Sequence, residues 1–133
     1  MSRENVEVIR RAFEAFRADD FEAWLSKISP SIKVFPNPRE PGTKSHYEGR
    51  EGVLEYLRNW YAGWDEYIVE PTQFIDAGDF VVVAAREIGT AKASGIRVEE
   101  EFSHVFKLRD GQTVEWRQFG PLEEALEAVG LSE

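Results

Sequence analysis

The hydrophobic period of this chain changes once, and that change limits the folds open to it. Up to about residue 64 apolar residues mostly recur at helical spacing. From Glu66 to Gly120 they alternate as in strands. Val6, Ile9, Phe13 and Phe16, with Ala12 and Ala15 alongside, predict a helix over 2–18, with Ser2 as its N-cap. Asp19, followed three residues later by Glu22, reads as a capping box. It opens a short second helix carrying Phe21, Trp24, Leu25 and Ile28, which stops before Pro30. A short strand over 31–36 has Ile32 and Val34 on one face. Pro36, Pro38 and Pro41 then rule out a ladder or a helix, so the loop over 36–46 reads as a rim or lid.

A third helix is expected over 50–64, with Val53, Leu57, Trp60 and Trp64 on one face and Tyr56 and Tyr61 beside it. Four strands follow, at about 66–76, 79–90, 95–108 and 113–120. Turns at Ala77-Gly78-Asp79, over 92–95 and at Arg109-Asp110-Gly111 separate them. Pro121 suits the first turn of a closing helix built on Leu122, Ala125, Leu126 and Val129, which Gly130 ends. The order is α-α-β-α-β-β-β-β-α. Helices gathered at the front and strands in a run make this an α+β chain, not a βαβ one.

At 133 residues the sequence fits one domain, 1–133, and its 42% apolar content can fill one core. There is no cysteine, which excludes disulfides, thiol catalysis and thiolate metal sites. His46 and His104 are the only histidines and show no metal-binding spacing, so no metal is expected. The net charge of −9 argues against nucleic acid as a partner. No apolar run is long enough for a membrane span, and the polar start has no signal-peptide core. A cytoplasmic protein is expected.

Strand alternation nominates a site. Val98, Glu100, Phe102, His104, Phe106 and Leu108 share one face, and its mostly apolar character marks it as the inner one. Trp116 and Gln118 on the last strand are expected to look inward too, and Arg86 alternates with Ala84 and Ile88. His104, between Phe102 and Phe106, can act as general acid or base near neutral pH. It can equally be a core histidine bonded to one carboxylate or carbonyl. Glu100 either orients His104 or accepts a proton itself, or is simply solvated at the strand end. Gln118 can only hydrogen-bond. Trp24, Trp60, Trp64 and Trp116 either stack on a planar ligand or are plain core.

Three stretches carry a resemblance to a known family. They are Asp19-Asp20-Phe21-Glu22-Ala23-Trp24, then Tyr47-Glu48-Gly49-Arg50-Glu51-Gly52-Val53, and then the stretch from Phe102 to Gln112 with the tail from Glu123 to Leu131. The chain resembles the nuclear-transport-factor-2-like superfamily, and within it the SnoaL-like and ketosteroid-isomerase-like proteins. The resemblance implies a cone-shaped domain, with a strongly bent antiparallel sheet wrapped around N-terminal helices. It also implies a deep apolar pocket, often within a homodimer. The acids of characterised relatives are missing here. Ala12 or Phe13 stands at the ketosteroid isomerase tyrosine, Pro36 or Asn37 at its base, and His104 at its second acid. Gln118 stands where limonene-type epoxide hydrolases have an aspartate; Arg86 could serve as their arginine, but Ile88 supplies no acid.

The expectation is therefore a small hydrophobic ligand held in the cone, with His104 and Glu100 as the catalytic pair. Gln118, Trp116, Phe102, Phe106, Arg86, Trp60, Trp24 and Phe13 would contact the ligand. The chemistry would be cofactor-free isomerisation, cyclisation or elimination. The alternatives are a non-catalytic binder and a dimerisation domain using the outer sheet face around Val105 and Phe119.

Overall fold

The computed structural model describes residues 2–38 and 43–131. Helix α1 spans Ser2–Arg17 and buries Ile9, with Val6 and Phe13 packed beside it. The side chain of Ser2 lies outside the described residues, so its capping role does too. The turn after α1 puts Asp19 at a positive φ of 59°. Asp20, not Asp19, then caps α2 (Phe21–Ser26), with its Oδ1 accepting from the Ala23 N–H at 3.2 Å.

Strand β1 runs Ile28–Phe35. It starts earlier than expected, so Ile28 is a strand residue and not part of the second helix. Pro30 sits inside it, exposed, where the ladder slips between Ile28 and Lys33. A strand tolerates proline at such an irregularity, because no ladder bond is lost there. The expected loop over 36–46 includes residues 39–42, which lie outside the described residues.

A two-residue strand β2, Tyr47–Glu48, pairs antiparallel with β1 and leads into helix α3, Gly49–Tyr61. The guanidinium of Arg50 donates twice to the Ile28 carbonyl, at 2.9 and 2.7 Å, and ties α3 to β1. Helix α3 ends before Trp64. That residue opens strand β3, Trp64–Ala77, instead of closing the helical face. Strands β4 (Phe80–Ala91), β5 (Arg97–Arg109) and β6 (Gln112–Phe119) follow, then helix α4, Leu122–Ala128. The β5–β6 hairpin turns on Asp110 and Gly111, both at positive φ (51° and 77°). That is the geometry an Asp-Gly pair favours.

The six strands form one sheet in the order β2-β1-β6-β5-β4-β3. Strands β3 to β6 are an antiparallel meander. The expected all-antiparallel sheet holds except at one seam, where β1 lies parallel to β6. Ladder irregularities in β3, between β5 and β6, and between β1 and β6 bend the sheet into an open curve around the N-terminal helices.

Both faces of the sheet centre are covered. On the inner face Val81, Val83 and Leu108 pack with Ile9 of α1. Further round the curve, Trp24, Ile32, Val34, Val53 and Tyr56 pack together around α3. On the outer face α4 lays Ala125 on Val82 and Val105, with Phe119, Leu122 and Leu126 closing the edges. Burial on both sides explains the unbroken Val81-Val82-Val83 run. It also removes the apolar surface expected for dimerisation: Val105 is 2% exposed beneath α4.

Candidate functional site

Between the helices and the inner face lies a cavity of about 640 Å³. Its floor is aromatic. Phe106, His104 and Trp116 form a triangle of rings, with centroids 5.9 to 6.0 Å apart. Phe13 of α1 meets Phe106 edge-on at 5.9 Å. Trp60 of α3 and Tyr67 of β3 meet edge-on at 5.4 Å on another wall. Gly89 makes room for this wall, because a Cβ there would stand 2.6 Å from the Trp64 ring and 2.8 Å from the Tyr67 ring.

One polar cluster interrupts the apolar lining. Glu87 (8% exposed) and His104 (6% exposed) are bonded through Oε2 and Nε2 at 2.8 Å. The Tyr67 hydroxyl donates to Oε1 of Glu87. The Trp116 indole N–H, which can only donate, reaches Nδ1 of His104 at 3.1 Å. Nδ1 is therefore the acceptor, and the ring proton sits on Nε2, donating to Glu87. One direction of donation runs through the chain: Trp116 to His104 to Glu87, with Tyr67 joining at the far oxygen. A second polar pair lies nearby, where the Gln118 amide donates to the Tyr56 hydroxyl at 2.7 Å. Among the described residues no buried side-chain N or O lacks a partner.

The cavity also reaches Tyr61 of α3. Burial, and secondarily the negative charge of Glu87, push its phenol up to about 12. Among the described residues no three His, Asp or Glu side chains cluster as a metal site, and no helix is long and apolar enough to cross a membrane.

The candidates from the sequence separate into two groups. His104, Gln118, Trp116, Phe106, Trp60, Trp24 and Phe13 all line the cavity. Glu100, Phe102 and Arg86 do not. Glu100 precedes His104 by four residues, about 13 Å along a strand, and it is exposed. Phe102 is half-buried outside the lining. Arg86 points away from the cavity and pairs with Glu99 at 2.8 Å on the outer face. The inner row of β4 is Val81, Val83, Ala85, Glu87 and Gly89, offset by one residue from the row expected to hold Arg86. Glu87, Tyr67, Tyr61 and Tyr56 were not singled out as site residues from the sequence. The pairing of His104 with Val83 is the signal that finds Glu87, since Glu87 lies in the same β4 row as Val81 and Val83, and that row shares the histidine's face.

Comparison with known proteins supports this fold. The SnoaL-like domain model matches residues 9–116. An uncharacterized PhzA/B-like protein of Pseudomonas aeruginosa is 25% identical over 93% of this chain and 89% of its own length. An NTF2-like protein of unknown function from Burkholderia pseudomallei has the same fold (TM-score 0.79, 23% identity, 98% of this chain and 99% of the other). TerC co-crystallized with polyporic acid does too (TM-score 0.78, 24% identity, 95% and 98%). A putative SnoaL-like polyketide cyclase from Jannaschia also superimposes (TM-score 0.75, 23% identity, 100% and 96%).

Proposed function

We propose that this chain, which belongs to the SnoaL-like domain family, binds a small, largely apolar molecule in its cavity and moves a proton on it through Glu87 and His104. The observation that carries this reading is the buried Glu87–His104 pair, 2.8 Å apart, in the wall of an otherwise aromatic cavity of about 640 Å³. Cavities of this size and lining suit small ring-bearing molecules. TerC, similar in fold, was crystallised with one small organic molecule.

The division of labour differs from a histidine acting alone. Both ring nitrogens of His104 are engaged, one by Trp116 and one by Glu87. A carboxylate has about four acceptor sites, and among the described residues His104 and Tyr67 meet two of those on Glu87. Glu87 is thus the group with capacity to accept a proton from the ligand. His104 and Tyr67 hold its two oxygens in place, and the protonated Glu87 returns the proton to another atom of the ligand. The reaction class is cofactor-free isomerisation, cyclisation or elimination at a carbon beside a carbonyl.

A second reading, binding without turnover, is favoured by the closure of the same network: among the described residues no buried polar side-chain atom waits for a substrate partner. One experiment separates the two. Cyclic ketones with exchangeable α-hydrogens are incubated with the protein in D2O, and deuterium uptake is followed by NMR. Uptake above background that Glu87→Gln abolishes supports the acid–base reading. Binding, seen as quenching of cavity tryptophans, with no uptake across the set supports the binder. Absence of any binding removes both. The homodimer implied by family resemblance is tested separately by sedimentation. A monomer at micromolar concentration counts against it.

A further inference from the structure

The exposed residues that line the cavity mark its mouth, and two of them are arginines. Arg17, at the end of α1, and Arg58, near the end of α3, both line the cavity and are exposed. Neither makes an ion pair or a side-chain hydrogen bond among the described residues. Arg58 also borders a neighbouring pocket whose lining holds Glu48, Glu51 and Glu55, of which Glu48 is bonded to His46 at 3.0 Å and Glu55 to Lys44 at 2.7 Å. Asp19 is the one acid beside them in the lining at the mouth, so the mouth carries 2 − 1 = +1 on a chain of net charge −9. Phe21 (47% exposed) and Ile68 (39% exposed) stand at the same opening.

From this arrangement we infer that the ligand is an amphipathic organic anion, its apolar rings inside the cavity and its carboxylate or sulfonate held at the mouth by Arg17 and Arg58. The inference rests on the reading of the cavity as a ligand site and adds the charge and the orientation of the ligand. The buried carboxylate of Glu87 disfavours an anion at the inner end, since two like charges there would repel in a poorly solvated wall. Guanidinium groups bind carboxylates and sulfonates through paired N–H donors. An anion on one end and apolar rings on the other can enter in one orientation only. That orientation places the uncharged end of the molecule against Glu87.

The test uses two probes with the same apolar body. 8-Anilinonaphthalene-1-sulfonate carries the anion, and N-phenyl-1-naphthylamine lacks it. Both brighten in apolar surroundings, and energy transfer from Trp24, Trp60 and Trp116 in the wall reports binding inside the cavity. The variant is Arg17→Gln/Arg58→Gln, whose two sites are exposed and outside the hydrogen-bonded cluster. In the variant the sulfonate probe is expected to bind about tenfold more weakly, about 1.4 kcal/mol, while the neutral probe changes less than twofold and confirms the fold. Raising salt from about 0.05 to 0.5 M should weaken the sulfonate probe in the parent and not in the variant. Equal binding changes for the two probes, or none for either, overturn the anion inference and leave the cavity reading standing. If the parent binds neither probe with energy transfer, the cavity reading fails and takes the inference with it.

Discussion

Replacing Glu87 tests whether the buried cluster is a working hydrogen-bond network. In Glu87→Ala the Nε2–H of His104 and the hydroxyl of Tyr67 lose their shared acceptor. His104 cannot escape by moving its proton, because Nδ1 must stay an acceptor for the Trp116 indole. An orphaned buried donor costs about 1–3 kcal/mol. Water can enter the cavity and bond weakly to both, so the low end applies, about 2 kcal/mol in total. For a chain of this size that is a fall in Tm of about 8 °C. Glu87→Gln behaves differently. Its amide oxygen can accept from His104 while its NH2 donates to the Tyr67 oxygen, so only the Tyr67 hydroxyl proton has to turn to water in the cavity. That variant should stay within about 1 kcal/mol of the parent. Urea denaturation of the three proteins, with m-values compared, measures both differences. An alanine variant within about 0.5 kcal/mol of the parent, or a glutamine variant as unstable as alanine, would falsify the network as drawn.

Three further outcomes follow from the same geometry. Selective 15N spectra of the imidazole should show His104 as a neutral ring with its proton on Nε2; a proton on Nδ1 contradicts the Trp116 donation. Gly89→Ala forces the Trp64 and Tyr67 rings away from a new Cβ, for a loss of about 1–3 kcal/mol; an unchanged melting curve refutes that contact. Tyr61 should make stability fall at high pH. Its folded pKa of about 12 lies above the ordinary 10.0, so its contribution is complete below pH 10 and is lost as pH rises from 10 to 12. At pH 11 the parent should have lost about 1.4 kcal/mol relative to its value at pH 9, measured against Tyr61→Phe. A difference that stays flat from pH 9 to 11 counts against the burial of that phenol.

The fold was legible because its elements are strongly patterned. The β5–β6 hairpin rests on Asp110-Gly111, whose backbone requirement is local to the two residues. Helix α1 shows its buried stripe through Ile9 and its neighbours. Misreadings fell where local pattern and tertiary contact compete. Trp64 continues the helical spacing of Val53, Leu57 and Trp60, yet α3 ends at Tyr61 and the Trp64 ring packs on Trp60 from β3. Ile28 continues the spacing of α2 but opens β1, because the seam with β6 recruits the chain before Pro30. Strand β2 has two residues, too few to show any period.

The site was half legible for a physical reason that concerns registers. A strand with one buried face declares that face by alternation. Strand β4 is buried on both sides from Val81 to Val83, so its sequence does not say whether Arg86 or Glu87 points inward. The pairing of Val83 with His104 settles it, and pairing is a property of two strands. Curvature does the rest. Glu87 lies four residues beyond Val83, about 13 Å in a straight strand, too far for the 2.8 Å bond it makes to His104 unless the inner face is concave and both side chains reach across it. Glu100, on the histidine's own strand, gains nothing from that concavity and stays in solvent. A histidine on the inner face of β5 was therefore readable from its apolar neighbours. Its carboxylate partner had to come from across the bend, where the same curvature that opens the cavity also brings Glu87 within bonding distance of His104.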